Sequence, residues 1–355
     1  MKLNYIFALF LSLLITGFPI HTVLSQNGGN GFLASLNYTN KLPEKIRASR
    51  TVALVHSNQE NEKRDNWKTL AKEAHKVLTG TGVDIIGYYN LQDVMAGPEA
   101  QINFSNDFLK REAKNIIIIQ DRGGNFVIRI TAFSGTSDYI NEGQEAWKTE
   151  STHLDEALSA TRRAIGASGQ RNQNFLVADL PEFFEDTNII KKGRFETFNR
   201  DLKLDKLAVV LLPLAKELPE NDPRRLQWKS DSLRFAQIMA SYPFEYEFVS
   251  FGEDEQELRK KGFQFMLYYL HSTGKVIRNM LDYPDDKNVT DYVTITQVDG
   301  RSNLKTFSKN QLVYKFYVKH IFSKEVYLGN EWDADETWDA ALTNHIQGLT
   351  SKVKK

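Results

Sequence analysis

Apolar and polar positions along the chain switch between strand and helix periods, and they do so twice in one order. Thr51-Val52-Ala53-Leu54-Val55 is a continuous apolar run of strand length, the pattern of a strand covered on both faces. After a polar loop, Trp67, Leu70, Ala71, Ala74, Val77 and Leu78 recur at helical spacing, and Gly80 and Gly82 follow as stop signals. Val83 to Tyr88 predicts a second strand, and Phe108 to Lys114 a short polar helix. Asn115 to Gln120 and Phe126 to Ile130 flank Gly123-Gly124, which predicts a β-hairpin. Leu154, Ala157, Leu158, Thr161, Ala164 and Ile165 then share one face of a closing helix.

The order restarts near residue 205. Leu207 to Leu212 repeats the opening strand, and Trp228-Lys229 repeats the Trp67-Lys68 pair that announces the first helix. Tyr246 to Phe251 predicts the second strand and Glu255 to Lys261 the short polar helix. Phe263 to Leu270, a Ser272-Thr273-Gly274 turn and Val276 to Leu281 read as the second hairpin. Trp338, Ala341, Leu342, His345, Ile346 and Leu349 line the closing helix. Phe32-Leu33 and Phe175-Leu176 both precede a linker into an opening strand, so the lead-ins repeat as well. The second copy carries extra strand-rich sequence, Tyr292 to Thr296, before Leu312 to Val318. The expected fold is α/β (α+β): two tandem copies of a β-α-β-α-β-β-α domain, each a mixed sheet with helices packed on it. The expected boundaries are a signal peptide at 1–25, a lead-in at 26–49, domains at 50–165 and 205–350, a linker at 166–204 whose glycine- and polar-rich part is 166–173, and an insertion at about 285–312.

The amino-terminus changes the picture from fold to address. Lys2, an apolar run from Ile6 to Phe18 and a small-residue exit at Val23-Leu24-Ser25 follow the order of a secretory signal. The run is shorter than the roughly 20 apolar residues of a spanning helix; a retained anchor is the alternative. No later segment is apolar enough to cross a bilayer. The chain has no cysteine, which excludes disulfides, thiolate chemistry and a lipid-bearing cysteine. An exported chain without cysteines fits a Gram-negative envelope, periplasmic or attached to the outer membrane, with secretion as the alternative. Its 45 basic and 45 acidic residues balance, against a nucleic-acid footprint.

With Val52-Ala53-Leu54-Val55, the Asp121-to-Gly124 turn, the Leu154-to-Ile165 helix, and their counterparts Ala208 to Pro213, Gly274 and Trp338 to Leu349, each half resembles the amino-terminal domain of TolB and the curli-secretion CsgG domain. The lipoprotein cysteine, a transmembrane hairpin segment and propeller repeats are missing. The resemblance implies a periplasmic interaction domain that binds other envelope components, and it does not imply a pore.

Signatures of chemistry are scarce. No phosphate loop, dinucleotide fingerprint or nucleophile elbow is present; Gly28-Gly29-Asn30-Gly31 lies at the mature start, and Gly166-Ala167-Ser168-Gly169 in the linker. His56, His75, His153, His271, His320 and His345 are scattered. His153 beside Asp155 suits a helix start better than acid–base work, and Asp282, Asp285 and Asp286 suit a turn. Asp333, Asp335, Glu336 and Asp339 form the densest acidic cluster, which reads as a helix start or as oxygen ligands for a divalent cation. Trp67, Trp147, Trp228, Trp332 and Trp338 read as core, or as partner contacts where exposed. Phe263 to Leu270 reads as a central strand, or as an edge for strand addition.

No catalytic, cofactor-binding or metal-ligating residue is assigned, and no cofactor is expected. The expectation is a non-enzymatic exported envelope protein that binds another envelope protein or glycan in assembly, secretion or surface attachment. The alternatives are a carboxylate- or metal-dependent hydrolase on the Asp333–Asp339 segment, or a small-ligand binder with its site between the two domains.

Overall fold

The computed structural model describes residues 32–57, 66–175, 177–184, 189–190, 192–211, 223–250, 253–284, 288–298 and 301–353. The segment expected to be a signal peptide, the Gly28–Gly31 run, Leu176, Leu212, Pro213, Phe251, Asp285 and Asp286 lie outside the described residues. The strands are β1 Asn37–Thr39, β2 Arg50–Ser57, β3 Asp84–Asn90, β4 Asn115–Asp121, β5 Phe126–Ala132, β6 Glu145–Ser151, β7 Phe183–Phe184, β8 Gly193–Phe195, β9 Lys206–Val210, β10 Tyr246–Val249, β11 Phe263–Thr273, β12 Asp291–Val298, β13 Arg301–Ser308, β14 Leu312–His320 and β15 Glu325–Tyr327. The helices are α1 Asn66–Leu78, α2 Leu91–Val94, α3 Pro98–Lys110, α4 Leu154–Ala167, α5 Pro223–Met239, α6 Glu255–Lys260, α7 Gly274–Met280 and α8 Trp338–Val353.

The fold is mixed α/β, with two principal sheets. The first has the order β1-β6-β5-β4-β2-β3-β7 and the second β10-β9-β11-β14-β15-β8. In each, three parallel strands (β3, β2, β4 and β10, β9, β11) are extended by two antiparallel ones (β5, β6 and β14, β15). A short lead-in strand, β1 or β8, then pairs parallel with the last. Those two strands are therefore the matching lead-ins, whereas Phe175 is 85% exposed and pairs with no strand. β7 also attaches the expected linker to the outer edge of the first sheet.

The apolar runs form strands because helices cover both faces of them. Ala53, Val55, Ile117 and Ile119 pack under α1 and α4 with Trp67, Leu70, Ala157 and Leu158. Leu207, Val209, Phe265 and Leu267 pack under α5 and α8 with Phe235, Trp338, Leu342 and Ile346. The inner faces share one core: Val52, Leu54, Ile116 and Ile118 of the first sheet, Ala208, Val210, Met266 and Leu270 of the second, and Phe104, Phe108 and Ile277 from the helices between them. The order through the molecule is thus helices, sheet, helices, sheet, helices.

The first hairpin forms as its glycines require. Gly123 and Gly124 both have positive φ, 68° and 88°, and Asp121 Oδ1 accepts the Gly124 N–H at 2.8 Å. The second hairpin does not form. Val276 to Leu281 lies in and just after α7, because the Thr273 hydroxyl caps the Val276 N–H at 3.4 Å and the pattern Val-Ile-Arg-Asn-Met-Leu places its apolar pairs on one helical face. The antiparallel neighbour of β11 is instead β14, with Tyr268 opposite Tyr317. β11 is thus flanked on both sides, by β9 and β14, over Phe265 to Leu267, as a central strand. The helix expected at Phe108 to Lys114 is the end of α3, which begins at Pro98.

Candidate interaction surface

β12 and β13 pair antiparallel over eight rungs and form a two-stranded sheet of their own, inserted between α7 and β14. The period of two divides this arm into two faces. On the inner face Thr294 and Phe307 are buried, and the Thr294 hydroxyl donates to the Ala334 carbonyl at 2.6 Å. Lys305 Nζ pairs with Asp335 Oδ1 at 2.7 Å and Glu336 Oε2 at 3.2 Å. These contacts hold the arm on the body. On the outer face Val293, Ile295 and Leu304 are 43%, 44% and 65% exposed, and Ile295 lies directly opposite Leu304. Three apolar side chains therefore stand together in water on an anchored element.

At the root of the arm is a hollow of about 240 Å³ lined by Arg278, Val289, Asp291, Tyr292, Val293 and Trp332. The Arg278 guanidinium lies 4.7, 4.8 and 5.7 Å from the ring centres of Tyr283, Tyr292 and Trp332, within cation–π range. Its Nη2 donates to the Pro284 carbonyl at 3.0 Å. Arg194 also lies over the Tyr283 ring, 4.4 Å from its centre. Tyr292 and Tyr283 each stand 5.5 Å from Trp332. Gly274 positions this wall: a Cβ there would come within 2.8 Å of the Tyr292 ring. The Trp332 indole N–H and the Tyr283 hydroxyl are enclosed without a hydrogen-bond partner among the described residues. Of these residues only Trp332 was marked by the sequence as a possible partner contact; Arg278 was assigned to a strand, and Tyr283 drew no reading.

The acidic cluster disperses onto separate partners. Asp333 sits between Lys315 Nζ at 2.7 Å and His345 Nδ1 at 2.8 Å. Burial alone would raise its carboxyl, but the Lys315 ammonium, with the His345 ring hydrogen-bonded on the other side, holds it below the usual range. Lys315 spends its remaining donors on the carbonyls of Phe316 and Leu328, at 2.9 and 3.1 Å. Desolvation pulls the His345 imidazole down. Asp335 and Glu336 share Lys305, while Asp339 accepts from Thr337 at 2.7 Å at the start of α8. Among the described residues no group of three or more His, Asp or Glu side chains is placed to hold a metal ion. The segment of the alternative hydrolase reading thus places its carboxylates in ion pairs and at a helix start.

The space between the halves, the place of the alternative small-ligand reading, holds the shared apolar core among the described residues. Besides the shared apolar core it contains Glu99 of α3, which accepts from Lys319 and, at 2.8 Å, from the Tyr317 hydroxyl. Glu255 takes Lys319 at 2.9 Å and Lys324. Desolvation opposes the Lys319 charge, but Glu99 and Glu255 outweigh it and raise its pKa. The histidines remain apart: His75 bonds Tyr88 and the Ala178 carbonyl, His320 bonds Ser323, and His153 occupies the position before α4 without capping it. Trp67, Trp147 and Trp338 are buried, as core packing predicts, and Trp228 lies within α5 rather than at its start.

No helix among the described residues is long and apolar enough to cross a membrane. No protein-family model matches the chain, and no curated protein or solved structure is significantly similar to it.

Proposed function

We propose that the chain is a non-enzymatic, exported envelope protein that binds another envelope component, and that the outer face of the β12–β13 arm is its docking surface. The observation that carries this reading is the apolar trio Val293, Ile295 and Leu304, held in solvent by an arm whose inner face is anchored through Thr294, Phe307 and Lys305. Apolar side chains grouped on a rigid projection, beside aromatic and arginine side chains, have the composition of interface centres. The signal-like start and the resemblance of both halves to TolB-type and curli-secretion-type domains support the envelope as the place of action. The common strand order of the two sheets supports a tandem duplication that acquired the arm in one copy only.

The test is crosslinking and capture from the native envelope, with the wild-type chain beside the Leu304→Asp variant. Recovery of one envelope component by the wild type and its loss in the variant is the expected result. Equal recovery by both places the docking surface elsewhere.

A further inference from the structure

We propose that the hollow at the root of the arm is a saccharide site that takes one pyranose ring. This inference rests on the binding reading above and gives it a ligand class. The geometry points to a neutral polyol through three features that act together. Tyr292 and Trp332 supply aromatic surface, 5.5 Å apart between ring centres and inclined at 52°, against which the C–H face of a sugar ring packs. Arg278 supplies donors: of its five N–H groups one reaches the Pro284 carbonyl, and its other neighbours among the described residues are ring faces. Asp291 supplies an acceptor in the same lining; its Oδ2 takes the Thr290 hydroxyl at 2.7 Å, and among the described residues Oδ1 has no partner.

The mixture of charges selects the class. A carboxylate ligand drawn to Arg278 would face Asp291, and a cationic ligand drawn to the rings and Asp291 would face Arg278. Vicinal hydroxyls donate and accept, so they satisfy both. The enclosed Trp332 N–H without a partner is a further donor that a bound hydroxyl reaches when the lining adjusts. A volume of about 240 Å³ is below the roughly 300–1,000 Å³ of sites for drug-sized ligands, so the hollow accommodates one ring of a longer glycan. Gly274 belongs to the site because it leaves room for Tyr292.

The indole N–H resonance of Trp332 reports the hollow directly. The chain has five tryptophans, and Trp332→Phe identifies the resonance by its loss. The full mature protein is titrated separately with the methyl glycosides of glucose, galactose, mannose and N-acetylglucosamine, and with sodium acetate. The expected result is a saturable shift of the Trp332 resonance with at least one glycoside and not with acetate. Arg278→Gln and Asp291→Asn should each weaken that glycoside about tenfold or more, as expected when a hydrogen bond to a charged group is lost. The other four indole resonances serve as the folding check. No shift with any of the four glycosides, a response to acetate alone, or undiminished binding in both variants overturns the proposal. Leu304→Asp separates this result from the docking reading, because Leu304 does not line the hollow: it should retain the glycoside shift whether or not it loses the envelope partner.

Discussion

His271 stands near the carboxyl end of β11 with its ring stacked on Tyr314, 3.9 Å between centres and nearly parallel. Desolvation lowers its pKa to about 4 from an ordinary 6.5, so the folded protein holds it neutral where the unfolded chain would protonate it. Stability contributed by the neutral ring is present above pH 6.5 and is lost as the pH falls towards 4, by about 3 kcal/mol at most. Denaturant titrations at pH 7 and pH 4 on wild type and His271→Phe measure this. The phenyl ring preserves the stack, so the variant should lose about 3 kcal/mol less than wild type over the interval; equal losses would mean that His271 does not titrate as its burial requires. Gly97 poses a different constraint. It has a φ of 153°, and a Cβ there would overlap the Tyr269 carbonyl oxygen across the junction of the halves. Gly97→Ala should cost about 3 kcal/mol, read as a lowered unfolding midpoint. Neither residue announces its role in sequence. The strand read from the sequence stops at Leu270, one residue before His271, and no periodic signal falls on Gly97; the ring stack and the close approach pair residues 43 or more positions apart, which no local pattern encodes.

At the scale of elements, the arm has its own consequence. Asp replacements at Val293 or Leu304 add charge where water already reaches the side chain, so stability should change by less than about 0.5 kcal/mol. Partner capture should fall sharply, because the same charge enters the docking face. A variant that unfolds would instead mean that the outer face carries packing. Legibility varied among the elements for physical reasons. β2, β4, β9 and β11 were readable because strands covered on both faces are unbroken apolar runs, and α1, α4 and α8 because each buries one stripe. β6 presents Glu145, Lys148 and Glu150 to solvent and β15 is only three residues long, so neither carries a run long enough to read. α7 reads as a hairpin strand because Ser-Thr-Gly after a strand is a turn signal, whereas Thr273 caps a helix there. The hollow was illegible because α7, β12 and the segment at Trp332 meet only in the folded chain.

The whole molecule is held as one body by what lies between the sheets, and that arrangement has a measurable consequence. Val52 and Ile116 of one sheet and Val210 and Leu270 of the other belong to the same core, and Glu99 crosses the junction to Lys319 and Tyr317. Neither sheet can lose its partner without exposing an apolar face, so both should unfold in one cooperative transition. Trp67 and Trp147 report on the first half, and Trp228, Trp332 and Trp338 on the second. Phe replacements within either group give fluorescence from one half alone, and the two midpoints in guanidinium should coincide. Glu99→Gln sharpens the test. It keeps the shape of the side chain and leaves Lys319 with Glu255 alone, which should cost about 2–3 kcal/mol, less than the roughly 3–5 kcal/mol of stranding a buried charge completely. Glu99 belongs to the first half, so independent halves would show that loss only through Trp67 and Trp147. A shared core requires the second-half tryptophans to report the same loss at the same midpoint, and this equality is what the arrangement of helices, sheet, helices, sheet, helices demands.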